Sequence, residues 1–373
     1  MPGLTNSFSR IAQGSLSSIT FKPDLNSLVE YDAIIDKPRK KLIIPANSKP
    51  WKSQEWKKHM KDAFRHSREL LDYLNLPYND SVKENGFPTL VTKIFAGKMT
   101  NQYDDPLLKQ VLPDILEEKV NKEFTKDPLN EFSKGLKEPS NILQKYQGRA
   151  LLIASNACAV NCRYCFRRHF PYEEHRPSKI TKALEEISKN SSIEEIILSG
   201  GDPLLLDDNN LRKVFQAIED IKSIKTIRIH TRLPVILPQR ISEKLIDTFY
   251  NQKKRIVVVV HSNHPNELDS DTRRAFECLK SIGVWLLNQS VLLKGVNDCD
   301  QILTDLSKKL FDQGVLPYYL HLPDKVANTT HFYIDTKQGQ KIHKKIQAKL
   351  PGYLVPKLVR EIPDYPSKKI LSI

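Results

Sequence analysis

Three of the five cysteines, Cys158, Cys162 and Cys165, fall within eight residues in a C-x3-C-x2-C array. Soft thiolates packed this densely select iron–sulfur clusters or zinc. A closed cluster or a structural zinc site takes four protein ligands, whereas this array supplies three. A three-thiolate cubane leaves one iron open to an outside ligand. A zinc knuckle completed by His169 or His175, or three buried thiols, are competing readings of the same residues. An odd number of cysteines with three clustered does not make a disulfide framework. A reducing cytoplasm fits them and would be required by an oxygen-labile cluster.

The elements that must position this array begin just before it, in the apolar run 150–154. From about Lys145 onward, short β-rich runs alternate with amphipathic segments. Strands are predicted over 149–155, 194–199, 225–230, 255–261, 284–289 and 316–321. Helices are predicted over 178–189, 207–221, 239–251, 266–282 and 300–313, and one more over 335–350. Ser178 and Asp207 stand where N-caps belong. Six strands with five intervening helices predict a parallel α/β partial barrel of six units, not a closed eightfold one.

Upstream, residues 1–50 are punctuated by prolines and predict an extended wrap. Over 53–74, Trp56, Met60, Ala63, Phe64, Leu70, Leu71 and Leu74 recur at helical spacing. Shorter helices are predicted over 90–96 and 106–120, the second broken by Pro113. The organisation expected is an N-terminal extended and helical region (1–144), a barrel (145–334) and a C-terminal helix with a short tail segment (335–373).

Active sites in parallel α/β folds gather at the C-terminal ends of the strands. The cysteine array follows the first strand. The second runs into Ser199-Gly200-Gly201-Asp202, where glycines let backbone approach a ligand closely. The next three end in His230-Thr231-Arg232, in His261-Ser262-Asn263-His264 and in Asn288-Gln289-Ser290. Five polar strand ends facing one mouth predict a single site.

The bulk composition, 39% hydrophobic and 27% charged over 373 residues, predicts a soluble globular chain. The longest apolar run, 256–260, has strand length, so no membrane span is expected. Residues 1–20 lack the basic start and sustained apolar segment of a secretory signal. The net charge of +14 comes from scattered lysines; it does not by itself specify a nucleic-acid partner, and none is expected.

The cysteine array resembles the cluster loop of radical S-adenosylmethionine (SAM) enzymes, where SAM's amino and carboxylate groups occupy the open iron. Ser199 to Asp202 resembles their glycine-rich SAM segment. Together with Lys145-Tyr146-Gln147-Gly148-Arg149, Leu233 to Arg240, His261 to Glu267, Asn288 to Asp298 and Gly352 to Pro356, they resemble the lysine 2,3-aminomutase family from Trp51 onward. Within it, Cys162 to Tyr172, Pro317 to His321 and Arg360-Glu361-Ile362 resemble the branch that makes β-lysine for modifying elongation factor P.

That resemblance implies a radical SAM partial (β/α)6 barrel with a [4Fe-4S] cluster, SAM and pyridoxal 5′-phosphate (PLP). The implied reaction moves the amino group of L-lysine from C2 to C3 by a 5′-deoxyadenosyl radical and a PLP aldimine, giving (R)-β-lysine. Cys158, Cys162 and Cys165 are the implied cluster ligands. Lys368, seven residues after Glu361, is the implied catalytic PLP lysine, with Lys369 its rival; Arg149 and Lys145 hold the phosphate and Tyr146 lies near the ring. Ser199, Gly200, Gly201, Asp202, His261 and Gln289 contact SAM. Arg167 takes the substrate carboxylate, and Asp324 and Glu361 take its ε-ammonium. Implied partners are a flavodoxin or ferredoxin-type electron donor and an elongation factor P lysyl ligase, and the enzyme is a possible homo-oligomer.

Two positions depart from the free-lysine enzymes. Glu361 stands where they have aspartate. Cys299 matches a cysteine that in some of them joins a neighbouring subunit's C-terminal tail at zinc; with the sequence ending at Ile373, that zinc site is not expected. Cys278 reads as core. Three other functions compete: an aminomutase for another amino acid, an RNA-modifying radical SAM methyltransferase, and a non-catalytic iron–sulfur or zinc protein. Asp324 and Glu361 favour a cationic side chain in the substrate.

Overall fold

The computed structural model describes residues 49–131, 141–174 and 179–371. These all fall within one compact unit, residues 43–373. The expected N-terminal wrap, His175 and the Ser178 cap lie outside the described residues, apart from residues 49 and 50 of the wrap.

One nine-stranded sheet organises the chain, in the spatial order β1 to β9. β1 (Ile142–Leu143) is antiparallel to β2 (Arg149–Ser155). From β2 the pairing is parallel through β3 (Glu195–Gly200), β4 (Thr226–Thr231), β5 (Arg255–His261), β6 (Trp285–Val291), β7 (Leu316–His321) and β8 (Lys357–Arg360). β9 (Lys369–Ile370) closes the order antiparallel to β8. The six expected strands are all present, within two residues at either end. β8 is a seventh parallel strand, four residues long behind Pro356, too short to stand out by pattern. Hydrogen bonds do not join the first parallel strand to the last, so the barrel is partial.

Helices α4 (Ile180–Ser188), α5 (Asp208–Glu219), α7 (Glu243–Tyr250), α8 (Ser270–Ser281) and α9 (Asp300–Asp312) connect successive strands, and α10 (Thr336–Lys349) precedes β8. Asp207 caps α5 as expected, accepting from the backbone N–H of Asn209 and Asn210 at 3.0 Å each. A short helix, α6 (Leu233–Ile236), follows β4. Leu198, Ile227, Ile229, Val258 and Val260 from the strands are fully buried against Leu211, Phe215, Leu245, Ala275 and Phe276 from the helices.

Upstream, the predicted helix over 53–74 is two helices, α1 (Glu55–Lys61) and α2 (Ser67–Tyr73). Between them Phe64 pairs with Val91 in an antiparallel bridge, both N–H groups donating across it at 2.8 and 3.1 Å. The chain restarts on a capping box between His66 and Glu69. α3 (Lys93–Ala96) is a single turn, and the segment 106–120 forms two 3-10 turns separated around Pro113. This layer supplies Gln110 and Glu117 to the site.

Candidate functional site

The cysteine loop leaves the end of β2 and is braced from the N-terminal layer. Asn161 N–H donates to Leu90 O and Arg163 N–H to Gln110 O, at 3.0 and 2.8 Å. The fully buried Arg163 donates from Nε to Glu117 Oε1 at 2.6 Å and from Nη1 to Phe87 O at 2.8 Å. Arg168 donates from Nη2 to the same carboxylate at 2.8 Å. Burial opposes ionisation of Glu117, but the two guanidinium groups outweigh it and hold the carboxyl below its usual range. Two arginines flanking Cys165 are thus tied to one buried acid.

All three cysteines are free and half-buried. Burial first, then the neighbouring sulfurs, pushes the Cys158 thiol well up and the Cys165 thiol up to about 11. Binding to strong cations would turn these two thiols into thiolates, which suits an iron cluster. Among the described residues, no three His, Cys, Asp or Glu side chains gather closely enough for a single metal ion. A cubane attaches each cysteine to a different iron and so tolerates wider spacing. His169, one proposed zinc-knuckle ligand, instead contacts Ala327 O at 3.3 Å through Nε2.

Where β3 ends, Gly200 has φ of +125°, and a Cβ there would sit 2.2 Å from Ser155 O. At Gly201 a Cβ would sit 2.2 Å from Ala157 O. These glycines let β3 pass against the root of the cysteine loop, sealed by Gly201 N–H to Ser155 O (2.8 Å) and Asp202 N–H to Ala157 O (2.7 Å). Asp202 accepts from Thr231 Oγ1 at 2.7 Å and from Arg232 N–H at 2.8 Å, which clamps the end of β4 to β3. Burial pushes its carboxyl up to about 6 despite those bonds.

A chain of charges runs from the cysteine loop to the C-terminal segment. Arg167 grips Glu131 through Nε and Nη2, at 2.7 and 3.0 Å, and donates from Nη1 to Ser199 Oγ at 3.2 Å. Lys145 Nζ stands 3.0 Å from Glu131 and 3.9 Å from Glu361. Glu361 accepts from Tyr146 Oη and pairs with Lys368 Nζ. Burial opposes ionisation of Glu131, yet Arg167 and Lys145 bring its carboxyl down to about 2. Glu361 is likewise held low by Lys368 and Tyr146 against burial. Asp324 faces this network; burial pushes its carboxyl up to about 7, with Lys368 pulling down and Glu361 pushing up. Tyr146 and Lys145, before the first long strand, thus meet Glu361, after the last parallel one, across the seam that hydrogen bonds leave open.

Residues fitting PLP converge at this seam. Lys368 Nζ supplies an amine beside a phenol and a carboxylate. The Arg149 guanidinium lies 5.0 Å from the Tyr146 ring centre and has no carboxylate partner among the described residues, as a phosphate cradle requires. Lys369 begins β9, pairs its backbone with Arg360 and is exposed.

The strand ends β4, β5 and β7 direct His230, His261 and His321 toward the same interior. Burial, then neighbouring cations, lowers all three, His261 to about 3, so each ring is neutral. His261 Nε2 lies 2.8 Å from Tyr164 Oη, with the rings stacked. His230 Nε2 is buried with no hydrogen-bond partner among the described residues. Gln289 pairs opposite His261 in the β5–β6 register. Cys278 is fully buried in α8, as expected of core, and Cys299 is exposed at the N-cap of α9.

Sequence reasoning did not single out Glu131, Glu117, Gln110 or, as a contact of the cysteines, Arg232. Each acts on a residue at least 36 positions away. Glu117 in an i, i+1 acidic pair gave no signal, because its partners come from the cysteine loop.

Residues 152–306 match the Radical SAM superfamily. The L-lysine 2,3-aminomutase of Haemophilus influenzae is 44% identical over 337 residues, covering 88% of this chain and 99% of that protein. That of Escherichia coli is 42% identical over 328 residues, covering 86% and 95%. That of Clostridium subterminale is 34% identical over 266 residues, covering 70% and 63%. A solved radical SAM methyltransferase from Sphaerobacter thermophilus is a remote likeness, with TM-score 0.42 and 14% identity over 59% of this chain and 68% of that one. No helix among the described residues is long and apolar enough to cross a membrane. With a [4Fe-4S] cluster, SAM and PLP as its cofactors, this chain is an enzyme of the L-lysine 2,3-aminomutase family.

Proposed function

We propose that this enzyme converts L-lysine to (R)-β-lysine, and that its product serves the β-lysylation of elongation factor P through a lysyl ligase. Cys158, Cys162 and Cys165 hold the cluster in this reading. Ser199 to Asp202, His261 and Gln289 line the SAM side, and a flavodoxin or ferredoxin-type donor supplies the electron. Lys368 holds PLP, with Arg149 and Lys145 at its phosphate and Tyr146 beside its ring. When bound, the cluster and SAM supply a 5′-deoxyadenosyl radical, while PLP takes the amino group and spreads the unpaired electron.

The chain's own residues position the reactants. Arg167, held on Glu131 through Nε and Nη2, keeps further N–H groups on Nη1 and Nη2 for a substrate carboxylate. Asp324 and Glu361 offer two acids to the ε-ammonium, and a site built for both ends of a diamino acid rejects a substrate lacking one of them. The three neutral histidines add no cation to the interior, so they do not compete for those acids. Without PLP the Lys368 amine pairs with Glu361, and with PLP on that lysine the carboxylate would be open to a substrate ammonium.

The observation that carries this reading is the Lys368–Glu361–Tyr146 contact, joined through Lys145 and Glu131 to Arg167 beside the cysteines. The test is anaerobic reconstitution with iron, sulfide, PLP and SAM, followed by chiral analysis of products from a panel of amino acids. Lys368→Ala is expected to keep its iron, lose the PLP absorbance band and lose turnover. β-Lysine formation at the wild-type rate by that variant would overturn the assignment of Lys368. A preference for an amino acid without a side-chain ammonium would overturn the assignment of the two acids.

A further inference from the structure

Arg232 directly follows β4, two strands along the sheet from β2 and the cysteine loop, yet its side chain reaches that loop. Its guanidinium donates from Nη1 to Cys162 Sγ at 2.8 Å. Nη2 donates to Gln110 Oε1 at 2.7 Å and to Glu267 Oε2 at 3.2 Å. The group is 7% exposed, lies 5.2 Å from the Phe95 ring centre and 5.8 Å from that of Tyr164, and its own backbone N–H is held by Asp202. The fork is therefore fixed at both ends and cannot turn to water. Among the described residues, neither Cys158 nor Cys165 receives a side-chain donor.

We infer that Arg232 is a positioning residue for the cluster, its hydrogen bond and charge at Cys162 Sγ raising the reduction potential. The inference rests on the reading of Cys162 as a cluster ligand. Reduction adds an electron to a group already negative through its thiolates. A buried donor and positive charge at one ligating sulfur stabilise the reduced form more than the oxidised one. The charge acts strongly because the site is dry and the fork does not reorient. Glu267 offsets part of that charge, but it is itself engaged by the N–H groups of Asn263 and His264, at 3.0 and 3.1 Å. Glu267 thus holds the guanidinium facing the sulfur without taking it over.

The test is an anaerobic redox titration of the reconstituted full-length enzyme, following the reduced cluster by electron paramagnetic resonance, with iron counted in each sample. Arg232→Met removes donor and charge while keeping volume. It is expected to retain the full four irons and show an about tenfold lower ratio of reduced to oxidised cluster at a fixed potential, a shift of about 59 mV to more negative values for one electron. Arg232→Lys keeps the charge without the fork and should fall between wild type and Arg232→Met. An unchanged or more positive midpoint in an iron-replete Arg232→Met enzyme overturns the inference. So does loss of the cluster in both variants, which would make Arg232 a structural brace. Cys162→Ala separates the underlying reading: a normal iron content and spectrum there would show that Cys162 is no ligand, whatever the Arg232 variants do.

Discussion

Asp324 shows how one buried carboxyl can report on the substrate. Its carboxyl is pushed up to about 7 by burial, so it is ionised above that pH and protonated below it. An ammonium guest binds the ionised form. The KM for lysine is therefore expected to rise as pH falls through about 7, while Asp324→Asn should show a raised KM with that dependence flattened. Steady-state kinetics across this range, with cluster content checked at each pH, decides it. Glu131 makes the complementary case. Glu131→Ala leaves Arg167 buried without its counter-ion, which costs about 3–5 kcal/mol for a broken buried pair and frees the fork to wander. A lower denaturation midpoint with a raised KM for lysine is expected. The cysteine array stands out by residue type and spacing, whereas Lys368, Arg167 and Asp324 were singled out only through the family resemblance. Glu131 was marked by neither, since its role exists only once residue 131 is folded against residue 167.

At the level of elements, alternation of apolar runs and amphipathic segments was enough to locate six parallel strands and their helices, because the strands bury one face against those helices. It failed for the segment 53–74, where helical spacing continues through a break. The missing information is the Phe64–Val91 bridge, a long-range pairing that outweighs local propensity. β8 escaped for the opposite reason: four residues with an exposed first member carry no period. The strand ends give sharper predictions. Gly201→Ala places a Cβ against Ala157 O at the root of the cysteine loop; overpacking of this kind costs about 1–3 kcal/mol. The expected result is a lower thermal midpoint and substoichiometric iron after reconstitution. Glu117→Ala should likewise reduce iron content, since it releases Arg163 and Arg168 on either side of Cys165, and iron analysis against circular dichroism separates loop loosening from unfolding.

For the molecule as a whole, the notable property is an open parallel sheet whose first and last parallel strands are joined by side chains. PLP seated between Arg149 and Lys368 would bridge that seam, so saturating PLP is expected to raise the melting temperature. A ligand at a hundred times its Kd adds about 2.7 kcal/mol. The shift should shrink markedly in Lys368→Ala, and differential scanning fluorimetry with and without PLP measures both. The lysine count and net charge, prominent in the sequence, say little about this arrangement, because it depends on a few cations placed at particular acids.

The contact between Tyr146 and Glu361 spans 215 residues of chain. Loops that long close late in folding, after the locally connected strand–helix units have formed. β9, two exposed residues at the sheet edge, has little of its own to hold it. The seam is therefore the last part to assemble and the first to fray, and a chain can shape its cysteine loop while the amine of Lys368 is still unplaced. With Lys368 as the proposed PLP lysine, cofactor capture would latch completed folding, since only a chain with its seam closed presents that amine beside Glu361.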